Sequence, residues 1–469
     1  MKKLSELYQG YPDIEVKDIK INSKEVEKKD IFVCIKGVTT DRHDFIDEAV
    51  ANGASFLVVG KGEGYSIPYI KVADPNKELP LLAQKLYNTD TSKIKLIGIT
   101  GTDGKTTTAT IMRDLLGIDE CGYIGTNGVL GQNLSGKNNN TTPESHLLYK
   151  YLSKFIEEGL TYASIETSSE AFYRNRLDTF KFDIGILTNV TGDHLNIHKT
   201  MDNYIESKKK LFLNLKEEGI AILNHDDKYF ECFNNIAKNQ LTYGKNLNAD
   251  LVIKDILELP NKTTITYSYK GNTFSIDSPL LGEFNVYNLS CCILVLITLG
   301  VSISDIKKRV KFIKSPSGRC EFLDFNTPYK IVLDYAHTEG GLKSILSYLQ
   351  KIRKNKIITV VGSAGGREKE KRNKMGSVVL EKSDLVIFTM DDPRWEDPSD
   401  IINQMLKDNE GTYKIIIDRK EAIKYALDNA KKGDIVLIAG KGRDNYMAIE
   451  DKYIPYCDYD VIEQYFLGK

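Results

Sequence analysis

Apolar and polar positions follow two rhythms along this chain, and the points where one gives way to the other divide it into three stretches. Up to about residue 90, the short apolar runs DIEVKDIKIN, DIFVCIKG, SFLVVG and YIKV read as strands, with FIDEAVANGA among them as a helix. The second stretch opens with KLIGITGTDGKTTTATIMRDLL, an apolar strand that passes through a glycine-bearing turn into a helix. It continues through the strand candidates ASIET, DIGILTNV and GIAILN. Residues 249–279 alternate in ADLVIKDILELP and TTITYSYKGNTFSID, which predicts a β-rich insert, and the helix NVYNLSCCILVLITLG follows. A third stretch begins near Ser317-Gly318-Arg319 and sets KIVLDYA, KIITVVG, DLVIFTM, YKIIID and DIVLIAG between helical segments. Strands alternating with helices predict a parallel sheet covered by helices. The expectation is an α/β chain of three domains. A small α/β domain spans 1–90, a central parallel-sheet domain of the phosphate-loop type 91–316, and a Rossmann-like α/β domain 317–469.

Composition narrows the function classes. Lys and Arg number 64 against 65 Asp and Glu, a formal charge of −1, without the basic surplus of a nucleic-acid binder. No apolar run nears the ~20 residues of a membrane span. The start, MKKLSELYQGYPDIEV, has two lysines but no apolar core of a secretory signal. A cytoplasmic protein with no nucleic-acid and no membrane partner is expected, acting as a monomer. The seven cysteines, Cys34, Cys121, Cys232, Cys291, Cys292, Cys320 and Cys457, form no CxxC pair. Their odd number and spacing fit neither a disulfide framework nor a zinc site, so they are read as small buried hydrophobes.

The sharpest local signal is Gly98-Ile-Thr-Gly101-Thr102-Asp103-Gly104-Lys105-Thr106-Thr107-Thr108. Glycines let backbone N–H groups face phosphate oxygens, and the helix N-terminus adds partial positive charge. Lys105 is placed to reach the β- and γ-phosphates and the Thr106 hydroxyl to ligate Mg²⁺. Counted from Gly98 the loop is one residue longer than G-x4-GK[ST]. Asp103 is out of place in an anion cradle unless it faces away. No NKxD-like guanine-reading segment follows, so ATP is favoured over GTP. Glu166 ends the strand ASIET, and Asp193-His194 follows GILTNV. Both stand at strand carboxyl ends, where ligands bind in open α/β sheets, and Glu166 and His194 are candidate Mg²⁺ ligands.

The set GITGTDGKTTT, IETSSEA, LTNVTGDHLNIH, YIESKKKLF, GEFNVYNLS, SGRCEF, LDYAHT and IAGKGRDNY resembles the Mur ligases in order and spacing over nearly the whole chain. The N-terminal INSKEVEKKDIFVCIKGVTTDRHDFI is similar to the UDP-binding domain of the MurE type. Folylpolyglutamate synthases are similar in the ATP loop but lack that domain. The resemblance implies an ADP-forming, amide-bond-forming ligase of peptidoglycan synthesis. ATP phosphorylates a carboxylate of UDP-N-acetylmuramoyl-L-alanyl-D-glutamate, and the amine of a diamino acid attacks the acyl phosphate. It implies catalytic roles for Lys105, Glu166, His194 and Lys208, and ATP contacts at Gly101, Thr102, Asp103, Gly104, Lys105, Thr106, Thr107, Asn285, Asn288, Arg319, Asp334 and His337. Mg²⁺ is implied at Thr106, Glu166, His194 and Lys208, the lysine as a carbamate. Read alone, Lys208-Lys209-Lys210 is a solvated basic helix face; the match selects Lys208, and a slip onto Lys209 or Lys210 stays open.

The resemblance also implies UDP-substrate contacts at Ser23, His43, Thr141, Thr142, Ser168, Arg174 and Arg176. Lys24 stands where the family usually has Arg, Glu170 where His is common, and Arg174 where Gln is common. Asp391-Asp392-Pro393-Arg394 resembles the DNPR motif of MurE enzymes that add meso-diaminopimelate, with Asp392 replacing Asn. A second carboxylate on the amino acid calls for a cation, and a bidentate Arg is the natural one. Arg367, Gly440 and Asp444 match further pocket positions; Asp444 replaces Glu, and Arg443 replaces His. meso-Diaminopimelate is therefore favoured over L-lysine, and lanthionine would satisfy the same residues. A Mur-like paralogue with another amino acid and acyl substrate, or a non-catalytic ATP-binding scaffold, are the other readings. Trp395 is expected to pack the turn against the helix DPSDIINQML. The charge run REKEKRNK reads as a solvated helix start in which Arg367 alone is singled out.

Overall fold

A computed structural model describes residues 1–37, 40–138, 140–192, 195–259 and 261–468. They gather into two compact units. One is Met1–Ile99 with Leu116–Gly185 and Ser207–Ile220; the other is Thr100–Leu115 with Ile186–Glu206 and Ala221–Lys469.

In the first unit, the strands Asp18–Lys20, Asp30–Val33, Phe56–Val59 and Tyr69–Lys71 form a four-stranded sheet in that order, all parallel. The two middle strands, DIFV and FLVV, are buried throughout, as central parallel strands covered on both faces must be. Phe32 stands opposite Leu57 and packs with Cys34, Ile46, Ala49 and Val59. The helix Pro75–Tyr87 starts on Asp74, whose side chain accepts from Asn76 N, with Pro75 in the first turn where its missing N–H is harmless. It packs on the helix Ser145–Glu157. Close by, Thr89 donates to the Tyr149 carbonyl at 2.8 Å and Lys150 meets Asp18 at 2.7 Å. The strand Tyr162–Glu166 pairs in parallel with Lys95–Thr100, Glu166 opposite Ile99, and on its other side with Cys121–Gly125. Glu166 thus stands at a strand's carboxyl end.

In the second unit, the strands Leu251–Leu259, Lys262–Tyr269 and Asn272–Ser278 make the expected antiparallel insert, with a register shift between Ile253 and Asp255. The helix Glu283–Thr298 is buried along most of its length and encloses Cys291 and Cys292. A six-stranded sheet runs in the order Glu321–Leu323, Lys330–Asp334, Ile435–Ala439, Ile357–Val361, Leu385–Phe388, Tyr413–Ile415; all but the first are parallel. Helices Glu339–Ile352, Glu370–Lys382 and Pro398–Leu406 supply the core on one face, and Arg419–Asn429 and Asp458–Leu467 on the other. This is a doubly wound sheet; Asp334 ends one strand, and Gly362, the turn 389–394 and Gly440 follow three others, at the edge where such folds bind ligands.

The chain is α/β throughout, as its periodicity predicts. Every cysteine is a thiol; Cys34, Cys121, Cys291, Cys292 and Cys320 are buried, and Cys232 and Cys457 half-buried. Among the described residues no helix is long and apolar enough to cross a membrane.

Candidate active site

The glycine loop is shaped by the residues packed behind it. Gly101 (φ 151°) and Gly104 (φ 84°) adopt conformations disfavoured for other residues. A Cβ on Gly101 would meet Thr188 Oγ1, and one on Gly104 would lie 2.4 Å from Asn288 Oδ1. Asn189 Oδ1 accepts from Asp103 N at 3.0 Å, and the Asp103 carbonyl accepts from Thr188 Oγ1 at 2.7 Å. Thr102 Oγ1 lies 3.0 Å from the Tyr204 hydroxyl. Lys105 opens the helix Lys105–Leu116 and its ammonium caps the loop carbonyls of Gly101 and Thr102 at 3.0 and 2.8 Å. The Asp103 side chain turns to the Thr338 hydroxyl, 3.5 Å away at the N-cap of Glu339–Ile352. The carboxylate therefore meets a helix N-terminus, which favours negative charge.

A cleft of about 620 Å³ extends from this loop, lined by Asp103, Gly104, Thr107, Asn288, Arg319 and Asp334, among others. Arg319 lies over the Tyr335 ring, 4.3 Å from its centroid, and points Nη2 at Thr106 Oγ1, 3.3 Å away. Asn288 Nδ2 donates to Asn285 Oδ1 at 3.2 Å, and Asn285 is itself tied to the Leu281 carbonyl. Burial raises the Asp334 carboxyl's pKa above the ordinary range, although the Cys320 and Ala336 amides donate to it. His337 departs from expectation. It lies not in this cleft but in the wall of a second cavity.

That cavity, of about 130 Å³, is lined by Tyr335, His337, Arg367, Asp391, Asp392, Arg394, Gly440, Asp444 and Tyr446 with their neighbours. Six of the seven residues expected to read the amino acid are there. Pro393 is not; it is buried, with its carbonyl closed off by Gly365. Arg394 sits at φ 54°, its amide donating to the Ala448 carbonyl and its carbonyl accepting from Glu450 N. Its Nε is buried without a partner. Burial, with Asp391 and Asp392 close by, pushes the Asp444 carboxyl up to about 6 against the pull of Lys441.

In the first unit the Glu166 carboxylate is 0% exposed, and its Oε1 accepts from the Tyr123 hydroxyl at 2.7 Å and Thr126 N at 2.9 Å. Thr142 Oγ1 donates to the Glu166 carbonyl and accepts from Ser168 N, while Ser168 caps the helix Ser169–Tyr173. Thr141 Oγ1 lies 3.1 Å from Thr126 Oγ1. Arg176 is buried between Glu144 and the Thr142 carbonyl. Ser23 gives its hydroxyl to Glu48, and His43 accepts from Gly60 N on Nε2 while Nδ1 meets Asp41 at 2.6 Å. Lys208 is 1% exposed, whereas Lys209 and Lys210 are half-buried and Lys210 donates to the Phe172 carbonyl. His194 lies outside the described residues, among which no three His, Cys, Asp or Glu side chains gather as a metal site.

The Mur ligase family catalytic domain matches residues 15–86, the Mur ligase middle domain 99–296 and the Mur ligase glutamate ligase domain 318–442. The UDP-N-acetylmuramoyl-L-alanyl-D-glutamate–2,6-diaminopimelate ligase 1 of Clostridium acetobutylicum is 36% identical, covering 98% of this chain and 96% of its own. The chain belongs to the Mur ligase family. A solved structure of a UDP-N-acetylmuramoyl-L-alanyl-D-glutamate–2,6-diaminopimelate ligase is similar to this Mur ligase with a TM-score of 0.64 and 27% identity, covering 100% of this chain and 99% of that one. The MurF ligase of Thermotoga maritima in complex with ADP is similar with a TM-score of 0.69 and 25% identity, covering 92% and 95%.

Three of the departures from the family pattern have structural partners in this Mur ligase. Arg174 pairs with Glu170 at 2.7 Å, one turn apart on the same helix, so the two unusual residues satisfy each other. Arg443 turns to Glu321, with contacts of 2.6 and 3.0 Å, and lies over the Tyr459 ring. Trp395 does not pack as expected; it is 69% exposed. Sequence reasoning missed Tyr446 and Lys371 in the smaller cavity, Lys441 behind it, and Asn189, Asp226 and Tyr287 in the larger. The run LNHDD after the strand GIAILN was the available signal for Asp226.

Proposed function

We propose that this Mur ligase uses ATP to join meso-diaminopimelate to UDP-N-acetylmuramoyl-L-alanyl-D-glutamate in the cytoplasm. The observation that carries the choice of amino acid is Arg394. Its guanidinium is presented by a backbone-clamped turn to a cavity whose other groups include Asp444, and its Nε has no partner. A diamino diacid brings a second ammonium and a second carboxylate, which match Asp444 and Arg394; L-lysine brings only the ammonium.

The proposed chemistry begins with the glycine loop and Lys105 holding the triphosphate while Arg319, beside Thr106, offsets negative charge. A substrate carboxylate oxygen takes the γ-phosphoryl group and ADP leaves. The neutral amine nitrogen then bonds to the acyl carbon, the C–O bond to phosphate breaks, and phosphate departs while the nitrogen gives up its extra proton to solvent. Mg²⁺ would neutralise phosphate charge. Glu166 and a carbamylated Lys208 would offer such a cation anionic oxygens. The burial of Lys208 supports it over its two half-buried neighbours. With ¹³C-bicarbonate, a carbamate resonance that is lost in Lys208→Ala and kept in Lys209→Ala is the expected result.

We assign the UDP end to 1–90, ATP to 91–316 and the amino acid to 317–469, on a monomer whose mass sedimentation would report. The deciding test is phosphate release with product mass, comparing meso-diaminopimelate, L-lysine and lanthionine. A diaminopimelate product is expected. A lysine-only product would overturn the role of Arg394, and no product with any of them would favour a paralogue with other substrates.

A further inference from the structure

We propose that Lys441 is a positioning residue for the incoming amino acid: its buried ammonium, set among Asp391, Asp392 and Asp444, holds the loop 440–444 against the turn 391–394 so that Asp444 and Arg394 face one cavity. The inference rests on the reading of that cavity as the amino-acid site.

Lys441 is 1% exposed, and its Nζ lies 2.8 Å from Asp392 Oδ1, 3.6 Å from Asp391 Oδ1 and 3.8 Å from Asp444 Oδ2. Asp392 Oδ1 also accepts from Ala448 N at 2.9 Å, and the Asp392 carbonyl accepts from Gly365 N at 2.8 Å. One carboxylate oxygen thereby ties the lysine loop to the hairpin strand Tyr446–Ile449, and the same residue's backbone reaches the loop that carries Arg367. The hairpin in turn holds Arg394 through Ala448 and Glu450. Lys441 is absent from the cavity lining, so it acts through Asp392 and Asp444 and not by touching the substrate.

Charge makes the lysine necessary. Three carboxylates this close repel one another, and a buried carboxylate without a counterion takes up a proton. The other titratable groups acting on Lys441 and Asp444 are Tyr446, Tyr335 and Arg319. Among the cations Lys441 acts most strongly on Asp444. Without it the Asp444 carboxyl titrates higher still and offers an ammonium less opposite charge.

The test compares Lys441→Met, Lys441→Arg, Asp392→Asn and the double variant Lys441→Met/Asp392→Asn, each first checked by thermal melting. Steady-state assays measure KM for the diamino acid that the wild type accepts, alongside KM for ATP and the UDP substrate. For Lys441→Met, KM for the diamino acid is expected to rise about tenfold to a hundredfold, the range of one charged hydrogen bond. The other two KM values stay within about twofold, and the double variant recovers part of the loss. Equal rises in all three KM values, or none, would overturn the proposal. If the wild type accepts no amino acid, the functional reading fails instead. The positioning claim is then decided by ¹³C-carboxyl titration of Asp444, which must move to higher pH in Lys441→Met; an unmoved titration overturns it. If Lys441→Met does not fold, the double variant carries the same titration.

Discussion

Arg394 is held in the left-handed backbone region that non-glycine residues adopt at a penalty, and two backbone hydrogen bonds keep it there. Strain maintained at a side chain aimed into a cavity has a use, and here it is the presentation of a guanidinium. Arg394→Ala is expected to raise KM for diaminopimelate about a hundredfold while KM for ATP stays put, and Arg394→Lys should restore little, because an ammonium cannot donate two parallel bonds. Steady-state kinetics with both substrates measure this; an unchanged diaminopimelate KM would sink it. Asp444 sets a pH limit. Its folded carboxyl titrates near 6, raised from 3.8 mainly by burial, so it is charged above that pH and neutral below. Affinity for a cationic amine should fall as pH drops through about 6, and the step should vanish in Asp444→Asn. The sequence could show Arg394 and Asp444 as residue types at motif positions. It could not show the φ of the one or the burial of the other.

Between elements, the chain read least well where charges cluster. REKEKRNK looks like a solvated helix face, yet Arg372 within it is 0% exposed. Its guanidinium meets both Glu396 oxygens at 2.7 and 2.9 Å, with Gln404 Oε1 and the Ala364 carbonyl as further acceptors. Glu396 also accepts from Gly366 N at 2.7 Å. The pair stitches the loop carrying Arg367 to the turn carrying Arg394. Its partners are distant in sequence, so no local pattern announces it. Arg372→Met should lower stability by about 3–5 kcal/mol by stranding a carboxylate, and Arg372→Met/Glu396→Leu should recover most of that; urea unfolding compares the two. Arg372 holds the Glu396 carboxyl down to about 2. The pair's contribution is therefore complete above the ordinary 4.5 and is lost as pH falls toward 2. An acid-unfolding profile unaltered in Arg372→Met would contradict this.

At the scale of the whole molecule, UDP, ATP and amino-acid ends assigned to different regions must meet for an amide to form. Small-angle scattering should show a smaller radius of gyration with a non-hydrolysable ATP analogue and the UDP substrate than without them; no change would count against three separate sites. The apolar rhythm alone determined that the chain is α/β, with a β-rich insert and a strand-loop-helix phosphate site, because burial on both faces of a parallel sheet demands continuous apolar strands such as FLVV and IVLIA. Short-range chemistry was legible as well: GTDGKTTT reads as a glycine-bearing turn from a strand into a helix, and Lys95–Thr100 and Lys105–Leu116 flank such a turn. Tertiary structure alone decided that Asp103 faces Thr338, that His337 belongs to the smaller cavity, that Lys208 is the buried lysine of its trio, and that Lys441 lies beneath three carboxylates. Each of these depends on which neighbours remove water from a charged or polar group, and those neighbours lie apart in the chain. The burial and pairing of such charged and polar groups are properties of the packed chain, and local sequence carries no record of them.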